Sequence, residues 1–394
     1  MLSQIVRNIT PSATCELGGT VAALRAAGEN IVSLNMGEGD FPTPEKICKA
    51  AYRAIADGKT KYVGVCGIIE LREEICRKLE QENHVRYTPS QICVSTGAKQ
   101  ALNNAVLAVI NPGDEVIIST PCWVSYIEIV KLYGGIPVCV DTTDSFMLDI
   151  RAIEQAVSER TAAIIINSPN NPTGAVYSRE VLEQLVDLAV RHNLYIISDE
   201  VYEKLVYNGC EHICMASVSE IGYEHVILVN GFSKTYSMTG WRIGYSAAPV
   251  EIADGINAIQ GHTTSNSATF TQWAAITALQ DCEADVQKMV AAFEQRKNAT
   301  YARLNAIPGI TCENVNGAFY LLPDVSSYFG KKFCGKTIKD SFDFCEFILE
   351  QAHTALVPGD AFQAPGHVRI AYTNSMENIE DGLARIEVAL TKLL

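Results

Sequence analysis

The chain has 394 residues, of which 48% are hydrophobic and 19% charged, as in globular proteins of two or three domains. Its formal net charge of −14 argues against non-specific binding to nucleic acid or to an anionic membrane surface. No apolar run has the length of a membrane span or a signal core, and the 13 cysteines form no disulfide framework, so we expect a cytoplasmic protein.

Short apolar segments alternate with helical patterns through the middle of the chain. An amphipathic pattern over 98–109 predicts one helix, and a polar pattern over 178–192 predicts another. The predicted strands are 91–95, 115–119, 136–140, 161–166, 194–198, 225–230 and 242–248. Because these strands are apolar throughout and separated by helices, we expect an α/β fold with a mostly parallel sheet between helices.

The pattern changes near residue 281. A long polar helix is followed by the strand AFYLL (318–322), a helix near 340–352, the strand HVRIAY (367–372) and a closing helix. This order predicts a smaller α+β domain at 281–394 beside a large cofactor-binding domain at 46–280. Residues 1–45 would form an N-terminal arm and part of the small domain.

Chemically distinctive residues directly follow several of these strands, where ligands bind in open parallel sheets. The turn Thr96-Gly97-Ala98-Lys99 opens a helix and offers backbone amides to an anion. The other residues are Trp123, Asn171, Asp199 with Tyr202, and Ser233 with Lys234. Each alone has an ordinary explanation, such as a helix cap for Asp199 or core packing for Trp123. Their convergence on one sheet edge favours a shared ligand site.

These side chains match the parts of one ligand. The helix start at Ala98, the Ser233 hydroxyl and Arg242 would bind a phosphate. Trp123 would stack on a flat aromatic ring. Lys234 lies among apolar and aromatic residues in FSKTYSMTGWRIGY, where a lysine is rare unless its charge is paired or lost.

The remaining residues specify the ring and its reactive group. Asp199 would pair with a protonated ring nitrogen, and Asn171 and Tyr202 would bond a ring hydroxyl. Lys234, deprotonated through burial and cationic neighbours, would form a Schiff base with an aldehyde. A phosphate, a pyridine ring, a hydroxyl and an aldehyde together describe pyridoxal 5′-phosphate, which acts as an electron sink for carbanions.

Segments spread over almost the whole chain carry a resemblance to a known family. They are PSAT (11–14), GEGDFPTPE (37–45), KYVGVCG (61–67), TGAKQAL (96–102), CWVSY (122–126), NSPNNPTG (167–174), SDEVYE (198–203), SKTYSMTGWRIGY (233–245), GAFYLL (317–322) and HVRIAYTNS (367–375). In order and spacing, the chain resembles class I aminotransferases of the fold-type I pyridoxal-phosphate enzymes, specifically the bacterial-type aspartate aminotransferases. The resemblance implies ping-pong transfer of an amino group between an L-amino acid and 2-oxoglutarate, with aspartate favoured and aromatic amino acids or alanine as other donors.

The resemblance also assigns roles to individual residues. Lys234 would be both the Schiff-base lysine and the proton carrier, assisted by Asp199 and Tyr202. The backbone amides of Ala98 and Lys99 would bind the phosphate. Tyr62 resembles a tyrosine that reaches the phosphate from the neighbouring subunit, which implies a homodimer with shared active sites.

Substrate binding is implied in the same way. Arg369 matches the arginine that clamps the substrate α-carboxylate, and Gly37 would add a backbone contact; Trp123 and Asn171 would also touch the substrate. The alternative for Arg369 is a strand arginine on a solvated face, but HVRIAY alternates poorly.

The chain departs from the family at positions that affect substrate choice. Animal-type relatives carry an arginine for the distal carboxylate shortly before a Ser-Asn pair, where this chain has Gly261 and His262. Aspartate/prephenate members commonly have a lysine before the proline of PSAT, and here that residue is Thr10. Lys99 and His262 are possible substitutes for a distal-carboxylate ligand.

Two other motifs point elsewhere but lack the right context. GKKFCGKT (330–337) matches the phosphate-loop pattern, yet no buried strand leads directly into it and its interior is bulky and charged. Cys210, His212 and Cys214 lie close together in CEHIC, but no second ligand pair has zinc spacing, so we predict no metal site.

Enzymes of the same fold provide the stronger alternatives. Carbon–sulfur β-lyases and cyclopropane-forming synthases use the same lysine, aspartate and arginines. A regulator that binds pyridoxal phosphate without turnover is a remoter possibility, because such proteins normally carry a DNA-binding domain ahead of the aminotransferase-like part. Retention of both Lys234 and Arg369 favours an active enzyme.

Overall fold

The computed structural model describes residues 2–393, apart from the side chain of Cys15. Its helices are α1 (Gln4–Asn8), α2 (Ala13–Ala26), α3 (Glu45–Ala56), α4 (Ile69–Glu82), α5 (Ala98–Val109), α6 (Ser125–Leu132), α7 (Ile150–Ala156), α8 (Arg179–His192), α9 (Val250–Thr263), α10 (Thr269–Asp281), α11 (Glu283–Ala306), α12 (Ser341–Ala352) and α13 (Met376–Leu390). Its strands are β1 (Val32–Ser33), β2 (Ile92–Ser95), β3 (Glu115–Thr120), β4 (Ile136–Asp141), β5 (Thr161–Asn167), β6 (Tyr195–Asp199), β7 (Val226–Gly231), β8 (Gly244–Ala247), β9 (Tyr320–Leu321), β10 (Lys332–Phe333), β11 (Lys336–Thr337), β12 (Thr354–Ala355), β13 (Val357–Pro358) and β14 (Val368–Ala371).

A seven-stranded sheet in the order β2-β8-β7-β6-β5-β3-β4 forms the centre of the molecule. Strands β3 to β7 are parallel to their neighbours within this group. Successive residues face opposite sides, so Ile117 and Ile196 join one apolar cluster while Ile118 and Ile197 join another. An apolar cluster on each face explains why these strands are apolar throughout, and the predicted α/β fold is confirmed.

Strand β8 is the exception, because it runs antiparallel to both β2 and β7. Its first residue therefore lies at the edge where the parallel strands end. The loop between β7 and β8 carries Lys234 and Arg242 and closes at its base through a 3.3 Å bond from the Phe232 amide to Ile243 O. The predicted strand start at 242 was wrong, because Arg242 has a left-handed backbone (φ 53°) and the strand begins at Gly244.

Small sheets form the C-terminal part. Strands β13, β14 and β9 pair antiparallel, and the N-terminal strand β1 pairs in parallel with β12, as Val32 opposite Thr354 shows. This pairing ties an N-terminal segment to the C-terminal part. The domain boundaries at 45 and 280 stay a prediction.

The segment matching the phosphate-loop pattern folds as a hairpin. Lys332 pairs with Thr337 and Phe333 with Lys336, and the next helix begins only at Ser341. A phosphate loop instead joins a buried strand directly to a helix, so this segment lacks its geometry.

None of the described helices combines the length and apolarity that a membrane span requires. The twelve cysteines whose side chains are described are free thiols.

Candidate active site

A cleft of about 320 Å³ lies at the carboxyl edge of the parallel strands. Its lining includes every predicted site residue except one: Gly37, Ala98, Lys99, Trp123, Asn171, Asp199, Tyr202, Ser233, Lys234, Arg242 and Arg369. The exception is Tyr62, which is 91% exposed and lies outside the cleft lining. The exposure of Tyr62 leaves it accessible to a second subunit.

One end of the cleft is a compact cradle of backbone amides and the Arg242 guanidinium. A Cβ on Gly97 would overlap the Arg242 guanidinium, and a Cβ on Gly244 would overlap the Ala98 amide. Arg242 Nη1 is oriented by a 2.8 Å bond to Thr239 O. The amides that begin α5 have no acceptor within the helix, so they are directed outward with a positive dipole. Glycine at 97 and 244 allows amides and guanidinium to converge.

A second region of the cleft contains the buried carboxylate of Asp199. Asp199 ends β6, and its Oδ2 accepts a 2.8 Å hydrogen bond from the Tyr126 hydroxyl. Burial raises the pKa of Asp199 to about 6, while the bond from Tyr126 acts in the other direction. Sequence reasoning missed Tyr126, although its position three residues after Trp123 at the start of α6 could have indicated a shared face.

Lys234 projects into the cleft between these two regions. Its Nζ donates a 2.6 Å hydrogen bond to Gly37 O. Burial lowers the pKa of Lys234 to about 8, with Arg369 and Arg242 acting in the same direction and Glu38 opposing them. At neutral pH, the neutral form of this amine is therefore far more populated than in an ordinary lysine.

A pair of tyrosines forms the wall behind the lysine. The hydroxyls of Tyr202 and Tyr320 lie 3.1 Å apart, and burial raises the pKa of Tyr202 well above its ordinary value. Tyr202 therefore stays protonated and able to donate. A Cβ on Gly37 would lie 2.5 Å from the Tyr320 hydroxyl, so a glycine is required for this close approach. Tyr320 was not singled out from the sequence.

Arg369 lies in β14 and is only 3% exposed, so the solvated-face alternative is wrong. Its Nη1 lies 3.1 Å from Asn171 Oδ1 and its Nη2 lies 2.8 Å from Asn35 O. The guanidinium carbon is 4.4 Å from the centre of the Tyr320 ring. Its Nε has no hydrogen-bond partner within residues 2–393. Arg369 is therefore a rigid cation with a spare buried donor.

The proposed substitutes for a distal-carboxylate ligand differ in position. Lys99 lines the cleft, with its Nζ 4.7 Å from the Trp123 ring centre. His262 is exposed near the end of α9, outside the cleft lining. Thr10 lies away from it too, and its amide bonds Glu128 Oε2 at 2.9 Å. Of these three residues, Lys99 alone lines the cleft.

The CEHIC segment lies behind Asp199 rather than in the cleft. His212 Nε2 is 2.9 Å from Glu200 Oε2, and Glu203 is close enough to both to complete a set of potential metal ligands. Lys78 and Asn83 already bond Glu203, which explains the cluster as a buried ion-pair network. We assign it no metal.

The donor set fits pyridoxal 5′-phosphate. The Gly97–Gly244 cradle and Arg242 suit a phosphate, and buried Asp199 suits a cationic ring nitrogen. The lysine of lowered pKa suits an aldehyde, and the unpartnered Nε of Arg369 suits an incoming carboxylate.

Comparison with known proteins identifies the family to which the chain belongs. Residues 29–386 match the family model described as aminotransferase class I and II. The chain belongs to this family, whose members use pyridoxal phosphate, and it is an enzyme that transfers amino groups.

Individual relatives match the chain over almost its whole length. The chain is similar to the aspartate aminotransferase of Bacillus sp. strain YM-2, with 41% identity over 98% of each chain. It is similar to the aspartate/prephenate aminotransferase of Cereibacter sphaeroides, with 42% identity over 98% of each. The aspartate aminotransferase of Thermus thermophilus with maleate superposes with a TM-score of 0.93, at 41% identity over 99% of each chain.

Proposed function

We propose that this enzyme binds pyridoxal 5′-phosphate and transfers the amino group of an L-amino acid, with aspartate favoured, to 2-oxoglutarate by a ping-pong mechanism. The observation that carries the proposal is that one cleft places Lys234, whose pKa is about 8, in contact with Gly37 and beside Asp199 and Arg369. An amine, a buried acid and a carboxylate-binding arginine are the groups that this chemistry requires.

The cofactor would be held at three points. The amides of Ala98 and Lys99 and the side chains of Ser233 and Arg242 would bind its phosphate. Asp199 would keep a proton on the ring nitrogen, since a cation beside the carboxylate lowers the pKa of the acid and raises that of its partner. When bound, the cofactor supplies an electron sink for the carbanion left by loss of the α-proton.

The chain's own groups handle the substrate. Arg369 would bind the α-carboxylate through paired donors, held in place by Asn171 and Asn35. Tyr202 would donate a hydrogen bond to the ring oxygen, because its raised pKa keeps the hydroxyl protonated. Lys234, once displaced by the amino donor, would take the α-proton as a free amine and return it to a neighbouring carbon.

The preference for aspartate is supported by two features. Both curated relatives compared above are named for activity on aspartate. Lys99 lines the cleft, with its Nζ over the Trp123 ring, and would bind a second carboxylate. Aromatic amino acids and alanine remain candidate donors because an arginine for the distal carboxylate is replaced by Gly261 and His262.

The proposal includes a cytoplasmic homodimer. Tyr62 resembles a residue that serves the neighbouring site, and its exposure is what such a role requires before assembly. Each complete site would then contain Lys234 from one subunit and Tyr62 from the other.

The test is a visible absorption titration of the holoprotein with aspartate, glutamate, alanine, tyrosine and cystathionine in turn. Transamination predicts loss of the absorption band of the lysine-bound cofactor together with one equivalent of oxo acid per site. Pyruvate and ammonia accumulating with the band retained would instead identify a β-lyase. Absence of the band after cofactor addition would overturn the role of Lys234.

A further inference from the structure

The Gly37 carbonyl that orients Lys234 belongs to a short segment, residues 36–41, anchored by an arginine outside the cleft. Arg296, on α11, donates from Nη1 to Asp40 Oδ1 at 2.7 Å and from Nη2 to Asp40 Oδ2 at 2.9 Å. Two parallel bonds to one carboxylate fix direction as well as distance. The segment is therefore held in one orientation relative to α11.

The same arginine contacts the chain just beyond the strand of Arg369. Arg296 Nη1 lies 3.3 Å from Thr373 O, which also accepts the Asp40 amide at 3.1 Å. The Thr373 hydroxyl donates to Met36 O at 3.0 Å. Thr373 thus joins the segment of Gly37 to the end of β14, and Arg296 closes this junction.

Aromatic packing immobilises the arginine. Its guanidinium carbon is 4.9 Å from the Phe41 ring centre and 5.6 Å from that of Phe293, and the two rings meet edge to face. A Cβ on Gly39 would lie 3.0 Å from Phe293, so the segment lies directly on α11. Arg296 is 11% exposed, and its side chain has little freedom to adopt another rotamer.

We propose that Arg296 is a positioning residue for substrate binding. By clamping Asp40 and the Thr373 carbonyl, it sets the spacing between Gly37, which holds Lys234, and Arg369. The inference rests on the proposed function, in which Arg369 binds the α-carboxylate. Neither Arg296 nor Asp40 lines the cleft, so the pair acts through the segment and not on the reacting atoms.

The expected signature is a change in substrate affinity without a change in cofactor binding. In Arg296→Met and in Asp40→Asn, KM for aspartate and for 2-oxoglutarate should rise by about tenfold or more, because a displaced Arg369 loses carboxylate binding that is equal in the ground state and the transition state. The value of kcat should stay within about threefold. The absorption spectrum and the affinity for pyridoxal phosphate should match the wild type. In Arg296→Lys, both KM values should lie between those of the wild type and of Arg296→Met, because an ammonium keeps the positive charge but cannot donate two parallel hydrogen bonds to one carboxylate.

A matched variant separates positioning from general stability. Arg303 is also on α11 and pairs with Glu387 on α13, away from residues 36–41. Arg303→Met also removes an arginine of α11 and its ion pair, and it should leave both KM values unchanged. The double variant Arg296→Met/Asp40→Asn should be no worse than Arg296→Met alone, because the pair with Asp40 is already lost in that single variant. Unchanged KM in Arg296→Met, or an equal rise in Arg303→Met, would overturn the proposal.

A binding measurement keeps this inference distinct from the proposed function. Calorimetric titration of the holoprotein with maleate, an unreactive dicarboxylate, needs no turnover. If the wild type binds maleate or aspartate yet transaminates nothing, the proposed function fails while the comparison with Arg296→Met still decides the role of Arg296. Equal affinity in wild type and Arg296→Met would refute that role, and at least a tenfold loss confined to Arg296 and Asp40 variants would support it.

Discussion

The Tyr126 hydroxyl donates a 2.8 Å hydrogen bond to Asp199 Oδ2, and both residues are buried at the carboxyl end of the central sheet. Tyr126 lies in the first turn of α6 and Asp199 is the last residue of β6, so two separate elements create this contact. The bond counteracts the effect of burial, which raises the pKa of Asp199 to about 6. Tyr126 therefore helps to keep the Asp199 carboxylate charged.

Removing this bond should weaken the ionised form of Asp199. In Tyr126→Phe the pKa of Asp199 rises, so the acid limb of kcat against pH should move to higher pH. A hydrogen bond to a charged group contributes about 1.5–3 kcal/mol, and we expect roughly a tenfold loss of kcat at neutral pH. The control is Tyr133→Phe. Tyr133 directly follows α6, and its hydroxyl donates a hydrogen bond to Asn103 Oδ1 that this variant removes. A pH profile unchanged from wild type would contradict this role.

The lowered pKa of Lys234 predicts a pH dependence of cofactor uptake. Its ordinary pKa is 10.5 and its pKa in the fold is about 8, so the charged form is disfavoured and the amine loses its proton as pH rises through 8. Only the neutral amine attacks an aldehyde. The rate at which apoprotein binds pyridoxal phosphate should therefore rise up to about pH 8 and then level off. Stopped-flow absorbance would measure it, and a flat profile from pH 6 to 9 would show that the proton on Lys234 does not control uptake.

Arg369→Lys should impair binding of every amino acid and oxo acid alike. Lysine keeps the positive charge but cannot donate two parallel hydrogen bonds to a carboxylate. The hydrogen bond from Arg369 Nη1 to Asn171 Oδ1 would also be lost. Truncating one partner of a buried charge pair costs about 3 kcal/mol, or roughly a hundredfold in kcat/KM. Steady-state kinetics with aspartate and alanine would measure the loss. Arg160→Lys, which alters a pair with Glu115 at the opposite end of β3, should leave both rates near wild type.

Lys99→Met tests what recognises a second carboxylate. If Lys99 binds the side chain of aspartate, kcat/KM for aspartate should fall about tenfold or more while that for alanine stays constant. Lys131→Met, on α6, is the control, since Lys131 pairs with Glu128 and lies outside the cleft lining. An equal effect on both donors would show that the Lys99 side chain does not recognise the second carboxylate.

Tyr62→Phe tests the shared site. The variant should remain a dimer in sedimentation and lose roughly tenfold in cofactor affinity, because one hydrogen bond to a charged phosphate is removed. Tyr52→Phe provides the control, since Tyr52 is also well exposed, on α3. A monomeric wild type at micromolar concentration would exclude the shared site directly.

The sequence predicted the central strands well because most of them are buried on both faces and appear as continuous apolar runs, although β4, at the edge of the sheet, is partly exposed. The strand-end rule likewise located Asp199, Asn171 and Lys234. The rule does not cover Arg242, because that residue precedes its strand and reaches the same edge only through the reversal of β8. The left-handed backbone at Arg242 has no residue-type signal, since arginine seldom adopts it.

Contacts between distant parts of the chain were beyond prediction. Tyr320 faces Tyr202 across 118 positions of sequence, and Arg296 reaches Asp40 across 256. No local pattern specifies such partners, because they depend on how packed elements meet. The role of Tyr62 requires a second subunit, so it stays a prediction.

The loop between β7 and β8 carries both the lysine that would bond the cofactor covalently and the arginine that would bind its phosphate. A hydrogen bond from the Phe232 amide to Ile243 O lies at its base, beside the pairing of Gly231 with Gly244. Local opening of this one loop would release both ends of the cofactor together, so loading should slow amide hydrogen exchange across residues 232–243 as a unit. In a sample that contains both apoprotein and holoprotein, the amide hydrogen exchange of this loop would therefore report the fraction of the enzyme that holds cofactor.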